Sequence, residues 1–193
     1  MTIPGRLPRR RRGHGTENWA RRQGELLLSV AELIETLPDA SGTKPGLRED
    51  VTALDLARSI AVTVARNRAD RRIALGTDLS GSGALIRAAA VERLTARPQV
   101  GTRTLGETLA DAWELAAAVG RPLSVDPAVS RAVAAERLKR APLALRLGVR
   151  GRRLIASDAG WELGKGEPLA GSAAAIVLYL HGRSPLPSRG SWR

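Results

Sequence analysis

A change of period near Pro142 divides this chain of 193 residues into two unequal parts. Before it, apolar residues recur at helical spacing. Leu26, Leu27, Val30, Leu33, Ile34 and Leu37 predict a first helix from about Thr16 to Leu37, ended by Pro38. Val51, Leu54, Ile60, Val62 and Val64 predict a second from about Arg48 to Leu75. Gly76 to Gly83 reads as a loop, and Ala84 to Ala96 as a third helix. A fourth spans Leu105 to Val119, closed by Gly120 with Pro122 beyond. A fifth starts at Asp126-Pro127, an N-cap followed by a proline that suits the first turn, and runs to about Arg140.

After Pro142 the pattern shortens. Leu143 to Val149 alternates imperfectly, as a half-buried strand does, and Arg153 to Ser157 reads as a second strand. Trp161 to Leu163 predicts a third short strand, and Gly171 to Leu180 a closing helix. The expected fold is mostly α with a small α/β part. Residues 1–15 form a basic tail with no apolar period, 16–140 a helical bundle, 141–185 a small α/β domain, and 186–193 a second tail. The small domain lacks the residues for an independent core and is expected to pack on the bundle.

Composition narrows the chemistry. The chain has no Cys, which excludes disulfides, thiolate metal sites and a cysteine nucleophile. It has no Phe, and its apolar side chains are mainly Ala, Leu, Val and Ile, of which Ala and Leu are strong helix formers. No run approaches the roughly 20 apolar residues of a membrane span. The basic start has no apolar segment behind it to act as a secretory signal. A soluble, cytoplasmic protein with no membrane partner is expected. The net charge is +12, and residues 1–22 carry half of it, with seven Arg against one Glu. Arg9, Arg10, Arg11 and Arg12 make that arm attractive to polyanions, so weak, non-specific nucleic-acid binding is the expected use, against a plain solvated tail.

Two segments carry chemistry. Residues 160–183 read GWELGKGEPLAGSAAAIVLYLHGR: a Trp, a run of glycines, an apolar helix and a closing Gly-Arg. Residues 107–127 read ETLADAWELAAAVGRPLSVDP. Together they resemble the mycothiol-dependent maleylpyruvate isomerase family of actinobacteria. The resemblance is good over 103–183, weak over 16–60 and absent between. It implies a DinB-like helical bundle with a small C-terminal domain, shortened in this chain. The heavy use of Arg, Ala and Gly fits a GC-rich, actinobacterial genome.

In that family a divalent metal, usually zinc, is held by a His on the second helix and by a Glu and a His one turn apart on a later helix. The metal activates the thiol of mycothiol. Carried over, the Glu is Glu107, the later His is replaced by Asp111, and the second-helix position falls at or near Ala53, after Arg48-Glu49. The only histidines are His14 and His181. A divalent metal therefore lacks its family ligands. Three readings stay open: Glu107 and Asp111 as a solvated pair; a hard ion such as Mg²⁺ on Glu107 and Asp111 with Asp55 or Asp50; or His181 reaching the site from the small domain. Arg183 is the candidate for holding a small anionic substrate, against a surface C-capping role, and His181 is a weaker catalytic candidate. Trp113 and Trp161 read as core packing. Two functions follow. One is thiol-dependent isomerase or transferase-type chemistry with mycothiol. The other is a non-catalytic binding or regulatory protein on the same scaffold.

Overall fold

The computed structural model describes residues 19–48, 50–95 and 101–185; the arginine arm, the Thr16 cap and residues 186–193 lie outside them. Eight helices and one three-stranded sheet follow in the order α1 (Trp19–Glu35), α2 (Ala53–Val64), α3 (Arg68–Gly76), α4 (Leu79–Thr95), α5 (Thr102–Val119), α6 (Pro127–Arg140), α7 (Leu143–Gly148), β1 (Arg152–Ala156), β2 (Trp161–Gly164), β3 (Glu167–Gly171) and α8 (Ala173–Leu180). A short 3-10 turn, Asp39–Thr43, joins α1 to the α2 region. Helices α1, α2, α4 and α5 make the bundle: α1 lies along α4, and α2 packs on α4 and α5. Leu27, Ile34, Leu56, Ile60, Ile86, Leu105, Leu109 and Leu115 fill its centre.

Five expectations are corrected. The single helix over 48–75 is two. Thr52 opens α2 through a reciprocal cap with Asp55, and the helix stops at Val64. Asn67 then caps α3 by accepting the Asp70 N–H. The break carries no Gly or Pro, so Asn67 is its sole local signal. The loop over 76–83 is mostly helix, because α4 begins at Leu79 and runs through Gly81 and Gly83. Gly83 is there for packing: a Cβ on it would stand 3.0 Å from Ile34 Cγ2. Gly24 plays the matching part on α1, where a Cβ would meet Leu94 at 2.8 Å. Small residues at these two points let α1 and α4 approach closely.

The strand expected over 143–149 is the helix α7, capped by Pro142. Leu, Ala and Arg all favour helix, and a seven-residue alternation is too short to outweigh that preference. The sheet instead gains β3, a strand not expected from the sequence, with Pro168 inside it. Strand order is β2-β1-β3, with β1 antiparallel to β2 and parallel to β3. Pro168 therefore sits on an edge strand, where a missing N–H is tolerated. Finally, α8 starts two residues later than expected. Gly171 ends β3, and the Ser172 hydroxyl caps the helix by accepting the Ala175 N–H.

The α/β part is pinned to the bundle through α6. Trp161 on β2 is buried and donates its indole N–H to Ser130 Oγ at 2.9 Å. Trp113 is also buried and donates to the Leu123 carbonyl. Helix α8 packs on α5 and α6. At the turn after β2, Gly166 has φ +113, and a Cβ there would sit 2.0 Å from the Gly151 carbonyl oxygen. Gly160 also has positive φ, but open space around it. Gly166→Ala should therefore lower stability by at least about 2 kcal/mol in urea unfolding, and Gly160→Ala by about 1 kcal/mol. Equal losses would mean that backbone conformation alone, and not the Gly151 contact, sets the cost.

Candidate functional site

Helix α5 places Glu107, Asp111 and Glu114 at spacings of four and three, so their carboxylates share one stripe. Asp111 is 2% exposed and Glu114 fully buried, whereas the Glu107 side chain is 41% exposed. Two buried carboxylates require compensation, since an unpaired charge in the interior is prohibitive. The compensation comes from two arginines that are far away in sequence.

The first is Arg183. Helix α8 ends in a left-handed turn at Gly182, φ +71. The Gly182 N–H donates to the Tyr179 carbonyl at 2.8 Å, and the Arg183 N–H to the Leu178 carbonyl at 2.9 Å. This pair of bonds is the Schellman closure, and it fixes the direction in which Arg183 leaves the helix. The guanidinium crosses to α5. Its Nη1 donates to Asp111 Oδ1 at 2.5 Å and to Glu114 Oε2 at 3.2 Å, and Nη2 lies 3.7 Å from Glu107 Oε2. The second arginine is Arg48, before α2. It meets Glu114 with both prongs, Nε to Oε1 at 3.0 Å and Nη2 to Oε2 at 3.1 Å. Ser59 on α2 donates to the remaining Asp111 oxygen at 2.8 Å. Burial pushes the Asp111 carboxyl above its usual range; the Arg183 charge and the Ser59 and Arg183 hydrogen bonds pull it back without overcoming the burial.

His181 stands beside this cluster. Its Nδ1 is 2.8 Å from the Val177 carbonyl, which only accepts, so Nδ1 holds the proton and Nε2 keeps a lone pair. The ring lies against Gly106, where a Cβ would be 3.5 Å from Nε2. Burial lowers the His181 pKa, aided by Arg137 and Arg183 and opposed by the Val177 bond and Glu107. The imidazole is neutral at pH 7. It borders a cavity of about 230 Å³ between α5 and α6, into which Glu107, Arg103, Arg137 and Arg140 also face. Arg137 is steadied by donating to the Leu180 carbonyl at 3.0 Å.

The structure thus gathers Arg183, Glu107, Asp111 and His181 in one region. Arg183 is neither a surface cap nor a free anion hook: its side chain is 12% exposed and faces carboxylates. Glu107 and Asp111 are not a solvated pair, because Asp111 is sealed in. Sequence reasoning missed Arg48, Ser59 and Glu114 as members of the cluster. The available signal was Glu114 at the seventh position from Glu107, a third acid on a face that the surrounding leucines mark as buried.

No protein-family model matches the chain, and no curated protein matches it. Among solved structures, a mycothiol-dependent maleylpyruvate isomerase superposes with a TM-score of 0.53, covering 88% of this chain and 95% of that one, at 14% identity. A histidine-to-alanine mutant of such an isomerase gives 0.47 at 12% identity over the same shares. The likeness is one of fold. The DinB-like bundle with a small α/β part is shared, and the chemistry is decided by the residues.

Those residues do not fit a divalent metal. Both Asp111 oxygens and both Glu114 oxygens already accept hydrogen bonds. Ala53 is buried and offers no ligand. Asp55 is committed to the α2 cap, where Oδ2 accepts from the Thr52 N–H and hydroxyl. Among the described residues no group of three or more His, Asp or Glu is arranged to hold an ion. The positive charge at this position is a guanidinium.

Arg183→Met should test that statement. It leaves Asp111 and Glu114 buried with Arg48 as their remaining cation, at a cost of about 3–5 kcal/mol near pH 7. The Asp111 carboxyl, already raised, rises further. The native state then holds a proton that the unfolded state releases, so the variant loses stability as pH climbs through that interval. Urea midpoints should lie closer to wild type at about pH 5 than at about pH 7. A pH-independent deficit would show that the guanidinium is not neutralising Asp111.

Proposed function

We propose that this chain is a metal-independent binding protein for a small anionic molecule, built on the scaffold of the thiol-dependent isomerases. The observation that carries this reading is the engagement of Arg183 by Asp111 and Glu114, which supplies from within the chain the charge that an ion would otherwise bring. The anion-holding role passes to the cavity at His181. Arg103 and Arg140 stand at its edge, Arg137 is held toward it, and neutral His181 presents a lone pair. A carboxylate or phosphate suits that set: guanidinium prongs receive its oxygens, and Nε2 accepts from a protonated oxygen or hydroxyl of the ligand. Glu107 and Glu136 at the same cavity disfavour a ligand with negative charge on every side.

The second reading is thiol-dependent isomerase or transferase-type chemistry, and His181 is the observation that favours it. A thiol cofactor such as mycothiol would supply a nucleophilic sulfur when bound. His181 Nε2, with its lowered pKa and its proton fixed on Nδ1, would accept the thiol proton, and Arg103 and Arg140 would hold the anionic end of the electrophile.

Two further expectations separate these readings from a metal enzyme. Zinc and manganese salts should leave the melting temperature unchanged, and prolonged chelation should not lower it. A small dicarboxylate such as maleate should raise it, by mass action on the folded state, and Arg103→Ala with Arg140→Ala should remove that rise. Stoichiometric metal retained after dialysis would overturn the metal-independent reading. His181→Gln should spare dicarboxylate binding but abolish the thiolate absorbance of added mycothiol; a thiolate band that survives the substitution excludes His181 as the base.

The arginine arm is proposed as a separate, weak polyanion contact. Deleting residues 1–15 should abolish salt-sensitive retention on duplex DNA, with each lost phosphate contact reducing the log–log salt slope by about 0.9.

A further inference from the structure

Helix α7 is the one helix of the described chain with no buried residue. Leu143 is 69% exposed and Leu147 55%. Together with β2 they bound a groove of about 480 Å³, with Val149 and Leu154 as its floor and Leu163 as its far wall. Arg146, Arg150 and Lys165 edge it, and no acidic side chain lines it among the described residues. Arg87 and Arg153 are matched elsewhere on the surface by Glu35 and Glu162. Those at the groove are in no ion pair among the described residues.

We propose that this groove docks an acidic segment of another protein, one that carries two or more large aliphatic side chains. The apolar floor requires aliphatic groups, and the unmatched cations require acids beside them. The chain's own ends do not meet that need. Residues 1–18 carry five arginines against Glu17, and residues 186–193 carry two arginines and no acid. A second copy, at a net charge of +12, brings repulsion to the same edge. A nucleic acid would satisfy the cations but not the leucines, and the groove has no aromatic ring on which a base would stack. A membrane presents a plane, whereas Val149 and Leu154 lie at the bottom of a concavity.

The test is a random dodecapeptide display library selected on the full chain and counter-selected on the Arg146→Glu/Arg150→Glu variant. The recovered peptides should be enriched in Asp and Glu and in Leu or Ile. A synthetic peptide from the pool should bind the charge-reversed variant, and separately Leu143→Ser/Leu147→Ser, at least about tenfold more weakly than wild type, with melting temperatures unchanged. A pool without acidic enrichment, or one that binds both variants as well as wild type, overturns the proposal. So does a result in which anionic lipid vesicles or duplex DNA lose binding in these variants while no peptide is recovered.

Discussion

Everything distinctive in this molecule depends on a guanidinium held inside it. Asp111 and Glu114 lie on the core face of α5, where ionised carboxylates are tolerated only with a cation at contact distance. Arg183 and Arg48 provide it from opposite ends of the chain. Because Arg183 follows α8, the same contact that neutralises the acids also clamps the α/β part onto the bundle. Trp161 against Ser130 adds a second attachment on α6. Charge neutralisation and domain packing are therefore one interaction seen from two sides, and neither can be relaxed alone.

The helical bundle was legible because its signal is long and periodic. The α5 and α6 boundaries followed from Gly120 and from Asp126-Pro127, residues whose local chemistry caps helices regardless of tertiary context. Where the reading failed, tertiary packing had overridden a local cue. Gly83 looks like a loop residue until Ile34 is placed against it. Pro168 looks like a strand breaker until β3 is known to be an edge. At the site, the sequence pointed to Glu107, Asp111, His181 and Arg183, and these do converge. It placed carboxylates across a pocket from Arg183 but did not disclose that the guanidinium touches Asp111 and Glu114 directly, since a partner 72 residues away leaves no mark on local spacing.

The comparison with the isomerase structure gains its meaning from this cluster. A shared bundle at 14% identity transmits where helices cross and little else. The chemistry open to this chain turns on a handful of side chains at one level of α5. In this chain that level holds two acids, two arginines and a serine, with the His181 imidazole beside them.

The sequence distance between Arg183 and its partners also bears on how the molecule is made. During synthesis α5 leaves the ribosome long before α8, and Asp111 waits for a cation encoded 72 residues later. Arg48 reaches Glu114 from the part already made, so half of the cluster closes early. The other half stays open until the last helix appears. Nascent chains that stop short of Gly182 thus lack the Arg183 partner of Asp111. Final consolidation of the core is then a late event, timed by the emergence of a single arginine.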